Sequence, residues 1–341
     1  MDLNKLNDVA RAMVVKGKGI LAADESSPTC KKRFDSINVE CNEESRNAYR
    51  DMLFTTNGME EFISGVILFD ETLRQSTLEK NKPFAEYLKS LGVIPGIKVD
   101  KGAHPLVGSN DEKVTEGLDG LGERLKDYHA LGARFAKWRA VITIGETTPS
   151  SSCIGANAHS LARYASLCQE NGLVPIVEPE ILMDGEHTLE DSFIVTEEVL
   201  HTTFYELYSQ NVQLEGIILK PNMVLAGYEC SEKASIDEVA EMTVTVLKRC
   251  VPAAVPGIAF LSGGQSDEVA TAHLNKMNQI LGDYSPWNLT YSYGRALQAP
   301  ALKSWGGKVE NISIAQEAFK KRAQLNSLAT KGEYKSSMES I

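Results

Sequence analysis

No CxxC pair occurs anywhere in the 341 residues, and the six cysteines (Cys30, Cys41, Cys153, Cys168, Cys230, Cys250) are too scattered to outline a disulfide framework. Thiols distributed this way suit a reducing compartment, where cysteine is mostly a small buried hydrophobe. No apolar run approaches the roughly 20 residues that a membrane helix needs. The N-terminal stretch mixes Asp2 and Asp8 with its lysines and lacks a continuous apolar segment, unlike a signal or transit peptide. These absences predict a soluble cytoplasmic protein, in which the sequons Asn288-Leu289-Thr290 and Asn311-Ile312-Ser313 are chance matches. Basic residues are also in deficit, 35 Lys+Arg against 46 Asp+Glu, for a net charge of −11. An acidic surface repels nucleic acid and anionic membranes, so neither is an expected partner.

Catalytic signatures are missing too. There is no GxGxxG and no Walker sequence, which argues against a nucleotide fold built around a glycine-rich phosphate loop. His104, His129, His159, His187, His201 and His273 form neither HxH nor HExxH, so nothing announces a preformed metal site. His273 lies on an amphipathic stripe with Val269, Leu274, Met277 and Leu281, which suits a core or interface residue better than a ligand.

What is present is a rhythm. Short β-rich runs occupy Gly19–Glu25, Ile63–Asp70, Val93–Asp100, Arg134–Val141, Leu173–Ile181, Leu214–Asn222, Gly257–Gly264 and Leu289–Arg295. Their starts lie about 30 to 45 residues apart, the length of a strand, a loop and a helix. Amphipathic patterns fill the intervals, such as Leu118, Leu121, Leu125 and Tyr128, or Val239, Thr243, Val246 and Leu247. Eight alternations predict a (β/α)8 barrel, and no Pro/Gly/Ser-rich shift breaks them. One catalytic domain over residues 1–330 is expected, followed by a polar, mobile tail over 331–341.

In such a barrel the C-terminal strand ends carry the chemistry. Here those ends hold Asp24, Lys98, Lys137 with Arg139, Glu178 with Glu180, Lys220, Ser262 with Gly263 and Gly264, and Arg295. Residues two apart on a strand share a face, so Lys137/Arg139 and Glu178/Glu180 can each point inward together. At one strand end, such charges read more naturally as a structural ion pair; at seven ends together, a site is favoured. Lys220 closes the apolar run Gly216–Lys220. Desolvation and a nearby cation such as Lys137 both favour a neutral amine, a nucleophile toward carbonyls. Ser262-Gly263-Gly264 ahead of a helix is the best candidate for an anion cradle, strengthened by Arg295 on the next strand.

The strand-end stretches Leu21–Ser26 (LAADES), Gly96–Gly102 (GIKVDKG), Phe135–Arg139 (FAKWR), Pro175–Leu182 (PIVEPEIL), Leu219–Met223 (LKPNM), Phe260–Ser266 (FLSGGQS) and Ser292–Gln298 (SYGRALQ) closely resemble class I fructose-1,6-bisphosphate aldolase. The matches run in order from about residue 10 to 330. The resemblance implies reversible cleavage of fructose 1,6-bisphosphate to dihydroxyacetone phosphate and glyceraldehyde 3-phosphate, with no metal or cofactor and commonly as a homotetramer. It makes Lys220 the Schiff-base lysine, Glu178 the acid/base for carbinolamine dehydration and Asp24 the acceptor of the C4 hydroxyl proton. The dehydration task favours a Glu178 carboxyl tuned upward by its surroundings. Lys137 and Glu180 would balance charge beside the imine, and Arg139 would help bind the sugar phosphate. Ser262, Gly263, Gly264, Ser292, Gly294 and Arg295 would hold the phosphate next to the ketone. Ser26, Arg33 and Lys98 would face the other phosphate, with Thr29 standing where the family commonly has serine.

Two departures accompany the match. Eukaryotic members typically end in a tail whose terminal tyrosine assists proton exchange, whereas this sequence ends at Ile341 with Tyr334 its nearest tyrosine. Ser26–Cys30 (SSPTC) replaces a glycine-containing loop, and its proline stiffens the segment. Another Schiff-base barrel of the transaldolase or deoxysugar-aldolase kind would also explain Lys220, though not two anion sites flanking it. A scaffolding protein on the same barrel is the alternative from outside enzymology.

Overall fold

The computed structural model describes residues 3–109 and 111–340. Eight parallel strands run in chain order: β1 (Gly19–Ala23), β2 (Ile63–Leu68), β3 (Ile94–Lys98), β4 (Phe135–Ile142), β5 (Val174–Ile181), β6 (Ile218–Leu219), β7 (Gly257–Phe260) and β8 (Asn288–Tyr293). Each pairs with the next, and β8 closes onto β1 with Ile20 opposite Ser292 and Leu21 opposite Tyr293. Helices flank the ring, so the expected (β/α)8 barrel is the architecture observed.

Period-two alternation sorts the side chains. Outward-facing Trp138, Val177, Leu219, Phe260, Tyr291 and Tyr293 join the layer shared with the helices. There Trp138 stacks on Tyr164 of helix Ser151–Glu170, with centroids 5.5 Å apart, and the Tyr164 hydroxyl donates to the Ile176 carbonyl. Inward-facing Ile20, Ala22, Ile67, Phe135, Val174, Ile176, Ile218 and Ala259 make a separate apolar plug. The first helix, Leu3–Met13, caps that plug from below, burying Leu6, Ala10 and Met13, one stripe at helical spacing. Phe135 crosses the barrel floor. Gly65 and Gly96 give its ring room, and an added Cβ at Gly96 would fall within the ring itself.

The differences from the expected elements are local. Leu214–Gly216 is a 3-10 turn rather than the start of β6, with the Gly216 N–H donating to the Gln213 carbonyl. A Cβ at Gly216 would collide with Leu6, so the chain passes beneath the first helix there before pairing begins. Glu25, Gly263, Gly264 and Arg295 lie just beyond their strands, and the positive φ of Gly263 (56°) and Gly264 (80°) ends the extended conformation. The connection from β1 to β2 holds two helices, Ser27–Asp35 and Glu43–Phe54, and a hairpin (Ala103–Pro105 with Lys113–Thr115) follows β3.

Polar composition marks residues 331–341 as a mobile tail, but residues 331–340 are held against the barrel; Ile341 lies outside the described residues. The Tyr334 N–H donates to Asn275 Oδ1 (2.9 Å) and its hydroxyl donates to Glu339 Oε1 (2.9 Å). Glu339 in turn pairs with the buried Arg322 at 2.6 Å. The polarity of the segment serves these pairings. Among the described residues no helix is long and apolar enough to cross a membrane, and all six cysteines are free.

Two glycines test the packing with opposite signs. Gly96→Ala is expected to destabilise by about 1–3 kcal/mol through overpacking against Phe135. Gly155→Ala, inside helix Ser151–Glu170 with open space around it, is expected to stabilise by about 0.5–1 kcal/mol. Denaturant midpoints measure both, and a neutral Gly96→Ala would show that Phe135 does not fill the floor.

Candidate active site

Above the apolar plug the inward positions turn charged. Two residues beyond Ala22, Gly96, Phe135, Ile176 and Ile218 stand Asp24, Lys98, Lys137, Glu178 and Lys220, and a further two along come Arg139 and Glu180. All of them line one cavity of about 690 Å³ at the C-terminal face. So do the other residues picked out from the sequence: Ser26, Thr29, Arg33, Ser262, Gly263, Gly264, Ser292, Gly294 and Arg295.

The deepest charges alternate in sign. Lys137 Nζ lies 3.1 Å from Asp24 Oδ2 and 2.9 Å from Glu178 Oε2, and Lys220 Nζ lies 2.9 Å from Glu178 Oε1. All four residues are buried. Burial alone would raise the Asp24 carboxyl, but Lys137, Lys220 and Lys98 outweigh it and bring it to about 2. Glu178 behaves likewise: burial opposes ionisation, while Lys137, Lys220 and Arg139 hold it below the usual carboxylate range. The upward tuning of Glu178 expected from its task is not what the structure shows, because two ammonium groups grip the carboxylate. For Lys137 burial favours the neutral amine, yet Asp24, Glu178 and Asp100 raise it well above the ordinary lysine range.

A second layer surrounds this cluster. Arg139 pairs with Glu180, so the Glu180 carboxylate is engaged there rather than at the lysines. Lys98 pairs with Asp100 at 2.7 Å. Arg33 is anchored through Glu25, which also binds the buried Arg50 at 2.7 Å, and sits beside Gly294. Neither Asp100 nor Glu25 was singled out from the sequence, although Asp100 follows Lys98 at the same period of two. Tyr228 was also missed; it belongs to an irregular loop, where no spacing signals a side chain reaching the cavity.

Two anion-receptive groups of residues line the cavity that holds Lys220. At one, Gly294 caps helix Arg295–Trp305, Arg295 opens it, and the Ser292 hydroxyl is buried with no partner. Gln265 braces this end by donating to the Ser262 carbonyl at 2.9 Å, and is itself held by His273 Nδ1 at 2.6 Å. His273 is thus a buried core residue, as its stripe suggests. In the second group, Ser26 caps helix Ser27–Asp35 without a side-chain bond to the helix backbone; its hydroxyl lies 3.2 Å from that of Thr29, and Lys98 lines the same cavity. Among the described residues the one group with metal-ligating spacing, Glu197, His201 and Cys250, sits on the outer helices, with Glu197 already paired to Arg249.

The chain matches the family model for fructose-bisphosphate aldolase class-I over residues 5–341. It is 58% identical to a probable fructose-bisphosphate aldolase class 1 of Xanthomonas axonopodis pv. citri, over 98% of this chain and 100% of that protein. It is 57% identical to the cytosolic fructose-bisphosphate aldolase 4 of Arabidopsis thaliana, over 94% of this chain and 81% of that protein. A solved structure of the Plasmodium falciparum aldolase, in complex with TRAP and a small-molecule inhibitor, superposes with a TM-score of 0.95. That similarity covers 97% of this chain and 95% of the other at 52% identity.

The Asp24 environment has a consequence for acid stability. A carboxyl whose native pKa is depressed contributes stability above its unfolded value, and that contribution is lost as pH falls toward the native value. For Asp24 the window runs from about 4 down to about 2, and the loss is on the order of 2 kcal/mol. Unfolding free energies of wild type and Asp24→Asn across that range should converge as pH falls; parallel curves would refute the assignment.

Proposed function

The chain belongs to the class-I fructose-bisphosphate aldolase family of metal-independent carbon–carbon lyases, and on that premise we propose which of its side chains carry each step. The reaction is the reversible cleavage of fructose 1,6-bisphosphate to dihydroxyacetone phosphate and glyceraldehyde 3-phosphate. The observation that carries the assignment is the buried Lys220 ammonium 2.9 Å from Glu178, inside a cavity also lined by Ser26, Arg33, Lys98, Ser262, Gly263 and Arg295.

Glu178 accepts a proton from Lys220, and the freed amine adds to the ketose C2, one proton passing from its nitrogen to the C2 oxygen to give the carbinolamine. With Lys220 neutral, one of the two cations gripping Glu178 is gone, so the carboxyl holds its proton more readily. Glu178 returns it to the carbinolamine hydroxyl, which leaves as water and yields the iminium. That cation then faces the Glu178 carboxylate, as the ammonium did before, so the buried charge count is unchanged. Asp24 takes the C4 hydroxyl proton, the C4 carbonyl forms, and the C3–C4 electron pair moves into the iminium to give an enamine. Glyceraldehyde 3-phosphate departs; C3 gains a proton, in net balance the one Asp24 took up, and hydrolysis by one water then releases dihydroxyacetone phosphate and regenerates Lys220 and the Asp24 carboxylate.

Lys137 remains charged throughout and screens Asp24 from Glu178. Arg139, fixed by Glu180, reaches the sugar phosphate. Ser262, Gly263, Gly264, Ser292, Gly294 and Arg295 hold the phosphate beside the ketone, and the unpartnered Ser292 hydroxyl supports that placement. Ser26, Thr29, Arg33 and Lys98 receive the second phosphate. Residues 1–330 act as one catalytic domain in the cytoplasm. A homotetramer is the assembly proposed from family resemblance, and the exposed Tyr205 and Tyr208, three residues apart on helix Leu189–Ser209, fit burial between subunits.

Borohydride added with dihydroxyacetone phosphate is expected to reduce the imine and leave a covalent mass increment on the Lys220 peptide. An increment on any other lysine, with Lys220 recovered unmodified from active protein, refutes the assignment.

A further inference from the structure

We propose that Tyr228 is a positioning residue for the phosphate next to the ketone, acting through the Gly263–Gly264 peptide; this rests on the placement of that phosphate given above. Its hydroxyl donates to the Gly263 carbonyl at 2.8 Å. Because a trans peptide sets its C=O and N–H antiparallel, fixing that carbonyl also fixes the direction of the Gly264 N–H. The peptide needs such a lock. Both its residues are glycines at positive φ, where nothing in the side chains limits rotation.

The neighbouring Ser262 carbonyl is secured differently. It accepts from the Gln265 backbone N–H at 3.0 Å and from Gln265 Nε2 at 2.9 Å, and the Gln265 side chain is held by buried His273. For Gly263 the bond described is the one from Tyr228, whose side chain stands in the cavity wall and is 47% exposed.

Tyr228 is itself well anchored for an exposed residue. Gly227, Tyr228 and Glu229 donate backbone bonds to the carbonyls of His187 (2.8 Å), Met183 (2.8 Å) and Gly185 (3.1 Å). Lys233 Nζ adds a bond to the Tyr228 carbonyl at 2.9 Å. Gly227 is needed for this approach, since a Cβ there would strike the Gly185 carbonyl. An added Cβ at Gly264 would meet both the Tyr228 hydroxyl and the Arg295 guanidinium, so hydroxyl, guanidinium and glycine peptide converge on one spot. The loop after β6 thereby sets the shape of a cradle built by β7 and β8.

The test is steady-state kinetics of Tyr228→Phe and Arg295→Ala on fructose 1,6-bisphosphate and fructose 1-phosphate. Tyr228→Phe is expected to raise KM about 3- to 10-fold for both substrates, since both carry this phosphate, with kcat changed less than about twofold. Borohydride trapping of unphosphorylated dihydroxyacetone should proceed as in wild type, a result that general damage to the site would not give. If Arg295→Ala raises KM while Tyr228→Phe does not, Tyr228 has no positioning role and the phosphate placement stands. If neither variant moves KM, the phosphate placement has failed and the proposal falls with it.

Discussion

The Glu178 carboxylate between two buried ammonium groups is the interaction on which the rest of the site depends. Removing charges from water costs several kcal/mol per ion unless each finds a partner with good geometry. Asp24, Lys137, Glu178 and Lys220 satisfy that requirement together, two anions against two cations, each within 3.1 Å of an opposite charge. A neutral inner cluster cannot attract a bisphosphate. That task passes to the outer layer, where Arg295 opens a helix and Lys98 and Arg33 stand toward the mouth. The protein carries −11 overall and still presents a basic rim, because total charge does not determine the potential inside a cavity.

The barrel explains why the cluster can exist. The same period of two that places Phe135 and Ile176 on the floor places Lys137 and Glu178 one step higher, so the charges stand on a dry apolar base. Gly65 and Gly96 let Phe135 fill that base, and the Leu3–Met13 helix seals it from below. Outside the ring, Trp138 lies against Tyr164 and immobilises the backbone next to Lys137. Lys98, Lys137, Arg139, Glu178 and Glu180 are thus carried on strands whose opposite face is packed.

Much of this was legible in the sequence because it is written locally. Strand rhythm, inward parity and polar strand ends depend on spacing within one segment, and they singled out Asp24, Lys98, Lys137, Glu178, Lys220 and the cradle of Ser262, Gly263, Gly264 and Arg295; Ser26, Thr29 and Arg33 came from the family resemblance alone. What escaped depends on contacts between segments. The late start of β6 follows from Leu6, more than 200 residues away, lying over Gly216. The pairing of Glu25 with Arg50, and of Glu339 with Arg322, joins elements whose proximity only the closed barrel determines. The ionisation of Glu178 escapes for the same reason: its task suggests a raised carboxyl, and the two lysines facing it from β4 and the end of β6 impose the opposite.

The central claim is that Glu178 is the proton carrier for imine formation, while Asp24 acts only afterwards, at C–C cleavage. It is tested most directly by rapid-quench measurement of the borohydride-reducible imine in Glu178→Gln and Asp24→Asn. Glu178→Gln should slow imine formation by about 10²- to 10⁴-fold, whereas Asp24→Asn should form the imine at close to the wild-type rate and then fail to cleave. Imine formation at an undiminished rate in Glu178→Gln would contradict the account.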